Sequence, residues 1–197
     1  MTKRNLLWVY QNIGDSIKAF ELMRDINSLA DVQLVKDQKK GGLFNRVVYH
    51  LSAYTYFNKS EYDSAIRLEK LAYDRSMQLN DTDGLALTAA ALGAAHSTTG
   101  NLDSEFYYFQ KALLYAQSAR RFDIARGVKG SLASSFEKKG NHVSAIFYAR
   151  QYYNDCKEAV DTTQMMDAAF LLSKFYSQRK KYDSAYKYLS DFYFISF

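Results

Sequence analysis

Proline is absent from all 197 residues, and cysteine and tryptophan occur once each. Without proline there is no polyproline linker, no collagen-like tract, and little of the rigid turn chemistry of a loop-rich fold. A single thiol, Cys156, excludes an internal disulfide and any multi-cysteine zinc site. Long apolar runs are missing too: the longest, Leu85 to Ala95, is interrupted by Thr88 and far too short to cross a bilayer. The basic N-terminal stretch from Met1 to Tyr10 stops at Gln11-Asn12, short of a secretory core, and no small-residue cleavage site follows. The chain as written reads as soluble and cytoplasmic, or periplasmic if it is a domain of a longer protein.

What is present is core material. Apolar residues make up 48% and aromatics 16%, with 17 Tyr and 13 Phe, which rules out general disorder. Charge is nearly balanced, 26 Lys and Arg against 21 Asp and Glu, and both signs are interleaved.

Self-similarity decides the architecture. Ser64, Ser104, Ser144 and Ser184 fall 40 residues apart, and the same spacing aligns Ala65, Glu105, Ala145 and Ala185. Tyr62, Leu102, His142 and Tyr182 form another such column. Each block reads as apolar helix, short break, apolar helix, with Gly100-Asn101 as the turn of the second block. Phe106, Phe109, Leu113 and Ala116 advance in steps of three or four, the spacing of one helix face. Asn101 and Asn141 stand where a side chain would cap the second helix, and Ser60 is expected to do the same in the first block. Asp63, Asp103 and Asp183 then lie in first turns, where the helix dipole favours negative charge. Residues 80–84 and 161–163 read as polar breaks between blocks. Helix pairs repeating in register predict an all-α, right-handed solenoid of antiparallel pairs.

Leu92-Gly93, Gly100-Asn101-Leu102, Phe109 and Ala112 resemble the tetratricopeptide repeat. That resemblance implies a small residue on each first helix packed on a small residue of the second: Ala53 on Ala65 and Ala72, Ala133 on Ala145, Ser173 on Ala185. Glu105 departs from this pattern, and the closing proline of the family is missing from every block. The period of 40, against 34 in the standard repeat, implies longer second helices or linkers. Four repeats are expected at about 43–84, 85–124, 125–164 and 165–197, forming one continuous solenoid. A degenerate earlier pair is read in 1–42, from Leu6-Leu7, Gly14-Asp15 and Ala19-Phe20, followed by an insertion from Asp31 to Gly42. The long repeat resembles the repeat regions of bacterial signalling and regulatory proteins.

Signs of catalysis, cofactor or metal binding are weak. His50, His96 and His142 stand 46 residues apart, and zinc needs three or four convergent ligands. His96 shares its column with Phe136 and Tyr176, and His142 with Tyr62 and Tyr182, so both read as substitutes for packed aromatics. Cys156 has no His or Asp arranged to activate it and reads as a buried, inert thiol. Gly41-Gly42 is followed by Leu43 rather than a P-loop lysine. Gly127-Val-Lys-Gly130 matches the G-x-x-G of KH domains only inside a helix of the repeat. Arg120, Arg121, Arg126 and Lys129 cluster at one junction and Arg179-Lys180-Lys181 at a later turn, but the mild net charge of +5 disfavours nucleic acid. No enzyme is expected.

Binding is the remaining activity. In such a solenoid the first helices line the concave face, which is the usual ligand surface. The inward positions are His50, Tyr54, Phe57 and Asn58; then Ala90, Ala94, Ser97 and Thr98. They continue with Gly127, Gly130, Ser134, Glu137 and Lys138, and end with Phe170, Lys174 and Gln178. This predicts a groove small and hydroxylated at its centre and aromatic at its ends, suited to a protein or peptide. Two helical glycines, Gly127 and Gly130, imply close approach by something. The Lys/Asn clamp by which some family members hold chaperone tails is absent, since His50, Tyr54, Ala90 and Ala94 occupy those places. At the C-terminus Tyr186, Leu189, Phe192, Tyr193, Ile195 and Phe197 leave an apolar end without a polar cap, the expected site of a second copy or a following domain.

Overall fold

The computed structural model describes residues 38–196, with side chains for Leu43 and 45–193. Eight helices cover these residues: α1 Gln38–Asn58, α2 Tyr62–Leu79, α3 Thr82–Thr99, α4 Leu102–Ser118, α5 Phe122–Lys138, α6 His142–Glu158, α7 Thr162–Gln178 and α8 Tyr182–Ser196. They pack as sequential antiparallel pairs in two compact units, one ending at Ala119 and one beginning at Arg120. The degenerate pair expected before residue 38 lies outside the described residues, as do Phe197 and the side chain of Ile195. Gln38 to Gly42, expected in an insertion, are helical and open α1.

The 40-residue period has a simple origin. Left-handed residues occur at Ser60, Asn80, Gly100, Arg120, Gly140, Val160 and Lys180, with φ from 51° to 74°. Turns therefore come every 20 residues, and α2 to α7 are each 17 or 18 residues long. The extra length relative to a 34-residue repeat lies in the helices, not in the linkers. After Ser60, Asn80, Gly100, Gly140, Val160 and Lys180 the next N–H closes on the carbonyl five positions back, as in Glu61 to Tyr56, Asn101 to His96 and Asp161 to Cys156 at 3.0 Å. This is the Schellman ending, which satisfies carbonyls the helix itself leaves open.

The residue after the left-handed one starts the next helix. Asn101 and Asn141 accept from the N–H of Ser104 and Ser144 at 3.2 Å, as expected. Asp81 and Asp161 do the same for Gly84 and Gln164, so the polar breaks are shorter than their composition suggested: α3 and α7 already begin at Thr82 and Thr162. Ser60 is the left-handed residue rather than the cap. Glu61 follows it and makes no side-chain capping bond.

Small residues let the pairs close. Ala53, Ala65, Ala72, Ala133, Ala145 and Ala185 are buried, and Ala133, Ala145 and Ala185 share one core cluster with Leu172 and Phe175. Gly93 is required: a Cβ there would run into the Phe109 ring. Glu105 is buried in the column of Ala65, Ala145 and Ala185. The aromatic column repeats as stacked rings, His96 on Tyr108, Phe136 on Tyr148 and Tyr176 on Tyr188, all within 5° of parallel. His96 thus does take an aromatic place. His142 does not: it is exposed and its Nδ1 lies 3.2 Å from Glu137, at a first-turn position where Leu102 and Tyr182 are exposed too.

Candidate functional site

In the first unit, the inward residues of α1 form one wall of a cleft of about 190 Å³. His50, Tyr54 and Phe57 face Ala91, Ala94 and Ala95 of α3, and Ala53, Ala65 and Glu69 complete the lining. The spacing of His50, Tyr54 and Phe57 places all three on one stripe of α1. The lining is apolar because the two polar groups at its edge satisfy each other. His50 Nδ1 lies 2.8 Å and 3.0 Å from the two carboxylate oxygens of Glu69. Burial pushes the Glu69 carboxyl above its ordinary range, and the bond to His50 opposes that shift. Arg46, one turn before His50, reaches Asp81 at 3.2 Å. Tyr54 stays half exposed at the mouth.

Of the inward residues predicted for this unit, His50, Tyr54, Phe57 and Ala94 line the cleft. Ala90 and Ser97 are half-buried beside it, and Asn58 and Thr98 are exposed, with the Thr98 hydroxyl spent on the Ala94 carbonyl at 3.1 Å. Glu69, Ala91 and Ala95 were not anticipated. The signal for Glu69 was available: its column continues with Phe109, Ala149 and Leu189, so a carboxylate there is buried.

The second unit arranges its first-helix residues differently. The Tyr152 ring of α6 lies 3.0 Å from where a Gly130 Cβ would stand. The close approach that the glycines implied is therefore made at Gly130 by the chain itself. Gly127 faces open space. Ser134 gives its hydroxyl to the Gly130 carbonyl at 3.3 Å. Glu137 is held by Arg179 at 2.6 Å, whose other nitrogen donates to the Phe175 carbonyl. Lys138, Lys174 and Gln178 are exposed, and Phe170 leans on Phe192 of α8 with ring centres 5.8 Å apart.

The outer side of α8 is uncovered. Tyr186 is 74% exposed and Tyr193 56%. Leu189 is 36% exposed, where its counterparts Glu69, Phe109 and Ala149 are buried. Phe192 is half-buried against Phe170.

Cys156 is fully buried, and burial raises its thiol to about 11. Three of the four basic residues at the junction are matched by acids: Arg121 with Asp123, Arg126 with Asp161 and Lys129 with Asp155. The Arg121 bond holds Asp123 at about 2. Among the described residues no group of His, Cys, Asp and Glu could hold a metal ion, and no helix is long and apolar enough to cross a membrane.

No known family profile matches the chain, and no curated protein matches its sequence. Solved structures do match. BtubC (BKLC) from P. vanneervenii superposes with a TM-score of 0.85 at 17% identity, over 98% of this chain and 78% of that one. The fold is that of tetratricopeptide-like repeats. The Pyrococcus horikoshii STAND protein with a tetratricopeptide repeat sensor gives 0.80 at 18%, over 98% of this chain and 29% of that protein. Aspartyl phosphate phosphatase F from Bacillus subtilis gives 0.79 at 15%, over 91% of this chain and 46% of that one. These likenesses establish the repeat fold, and two of the three proteins are much longer than this chain.

Proposed function

We propose that this chain is a binding module that takes a protein or peptide on its first-helix faces, with the cleft of the first unit seating an apolar side chain of the partner. The cleft carries this reading. Its walls are aromatic on one side and methyl-sized on the other, its polar rim is internally satisfied, and apolar surface left open in this way is stabilised by burial. The likeness in fold to a sensor repeat supports a place in a larger regulatory system. Pairing of Arg121, Arg126 and Lys129 with carboxylates weighs against phosphate binding at that junction.

A second reading, assembly end to end through α8, is favoured by the exposure of Leu189 at a position the repeat otherwise buries, and of Tyr186 and Tyr193 at positions it otherwise half-buries. One comparison separates the two. Ala91→Leu with Ala95→Phe fills the cleft with the residue types found at Leu171 and Phe175. Capture of a partner from the source cell is expected to fail in this double variant and to persist in Tyr193→Glu. The reverse result moves the interaction to α8.

A further inference from the structure

His96 is the one member of its stacked column that can take up a proton. Its ring lies flat on Tyr108 with centres 5.6 Å apart, in the slot filled by Phe136 on Tyr148 and Tyr176 on Tyr188. Both its nitrogens are buried, and neither has a hydrogen-bond partner. A neutral imidazole already leaves one N–H and one acceptor nitrogen unpaired in this slot, a cost the stacking on Tyr108 partly offsets. An imidazolium costs far more, because it brings a charge and a second N–H into a site with no acceptor. We propose that His96 is a proton latch on the first unit: uptake of a proton by its ring opens the contact of α3 with α2 and α4, and with it the cleft that Ala94 and Ala95 wall from the same turn of α3.

The surroundings offer no compensation. From α2, Lys70 adds repulsion, and Asp74 acts on Tyr108 rather than on His96. From α4 come the rings of Tyr108 and Tyr107, the second set edge-on to the first. On α1, His50 is already engaged by Glu69. Burial first, and Lys70 second, hold the His96 ring below the ordinary histidine value of 6.5.

The sign follows. The unfolded chain takes up the proton near 6.5 and the folded unit only at lower pH, so stability is complete above 6.5 and falls as pH drops below it. Glu69 acts the other way: its raised carboxyl favours the folded state in acid, and that contribution is lost as pH rises. Comparing variants that differ only at His96 cancels the Glu69 contribution.

That the cleft receives a partner rests on the reading above; the latch does not. The test is thermal unfolding of the whole chain at pH 7.5 and 5.0, wild type beside His96→Phe, the residue type at position 136. The gap between the two midpoints is expected to widen by a few degrees on going from pH 7.5 to 5.0, because only the wild type gains a protonatable ring in that window. A gap that does not change with pH overturns the latch. Amide exchange places the event: α3 and α4 lose protection in acid while α7 and α8, with Tyr176 in the slot, keep theirs. If His96→Phe does not fold, His96→Tyr serves, and an NMR titration of the wild-type ring is decisive by itself. A midpoint at or above 6.5 in the folded protein also overturns the proposal. Partner capture at pH 7.5 by wild type and the cleft-filled variant judges the binding reading separately.

Discussion

The two units are built on one frame and use it in opposite ways. Arg46 with Asp81 in the first matches Arg126 with Asp161 in the second, 80 residues on. The edge-on rings Tyr73 and Tyr108 match Tyr153 and Tyr188, both at 82°. Inside this frame, bulk changes sides. The first unit has His50 on its first helix and Ala72 on its second, whereas the second has Gly130 and Tyr152. On the following helix the first unit has Ala91 and Ala95, and the second has Leu171 and Phe175, which pack with Ala133, Ala145 and Ala149. A cleft therefore opens in the first unit where the second is filled. Repeat proteins set backbone spacing by small residues at a few columns, and the other columns are free to trade volume between helices.

Emptying the second unit breaks the contrast most severely. Phe175 is almost fully buried in the core, and Phe175→Ala is expected to cost about 3–5 kcal/mol in urea unfolding. It would also open space that the Phe175 ring fills in the wild type. A cost near zero would mean that the neighbouring side chains collapse into the gap, and that filling is not what distinguishes the units.

A smaller effect separates the two helical glycines. Gly130→Leu drives a side chain into the Tyr152 ring and is expected to destabilise by about 1–3 kcal/mol. Gly127→Ala meets nothing within 4 Å, so it gains the helix preference of alanine, about 0.5–1 kcal/mol. Opposite signs at two positions three residues apart would confirm that only Gly130 is held by close contact. Equal signs would remove Tyr152 as the explanation.

Much of this was readable from the chain. The period, the pairing of helices, the caps at Asn101 and Asn141 and the aromatic place of His96 all follow from columns in one dimension. The inward stripe of α1 was found the same way, since helical spacing alone puts His50, Tyr54 and Phe57 on one face. What the columns do not show is which helix supplies the bulk at a shared contact. Gly130 invited a ligand on paper, and the Tyr152 ring that meets it stands 22 positions away on another helix. The cleft is a similar case. It depends on Ala91 and Ala95 being small relative to Leu171 and Phe175, and each pair taken alone is ordinary helix sequence. His142 failed for another reason: column identity with tyrosines says nothing about exposure at the first turn, where Tyr182 is exposed too.

The turns carry the mildest contrast and the least visible signal. Left-handed backbone usually announces itself by glycine, and Gly100 and Gly140 do so. Val160 holds the same conformation at φ 54° with a branched side chain, and it is 80% exposed, so no burial compensates. The Schellman bonds at its helix end keep it there, because abandoning them would leave the Cys156 carbonyl without the Asp161 N–H. Val160→Gly removes the clash between Cβ and carbonyl and is expected to stabilise the second unit by about 1 kcal/mol. Glycine's greater freedom in the unfolded chain offsets part of that gain. Gly140→Val is expected to cost a similar amount, since nothing lies within 4 Å of Gly140 and the conformation alone is at issue. Urea midpoints of the two variants should move in opposite directions; if Val160→Gly lowers the midpoint, chain entropy outweighs strain at these turns, and glycine at 100 and 140 needs another cause.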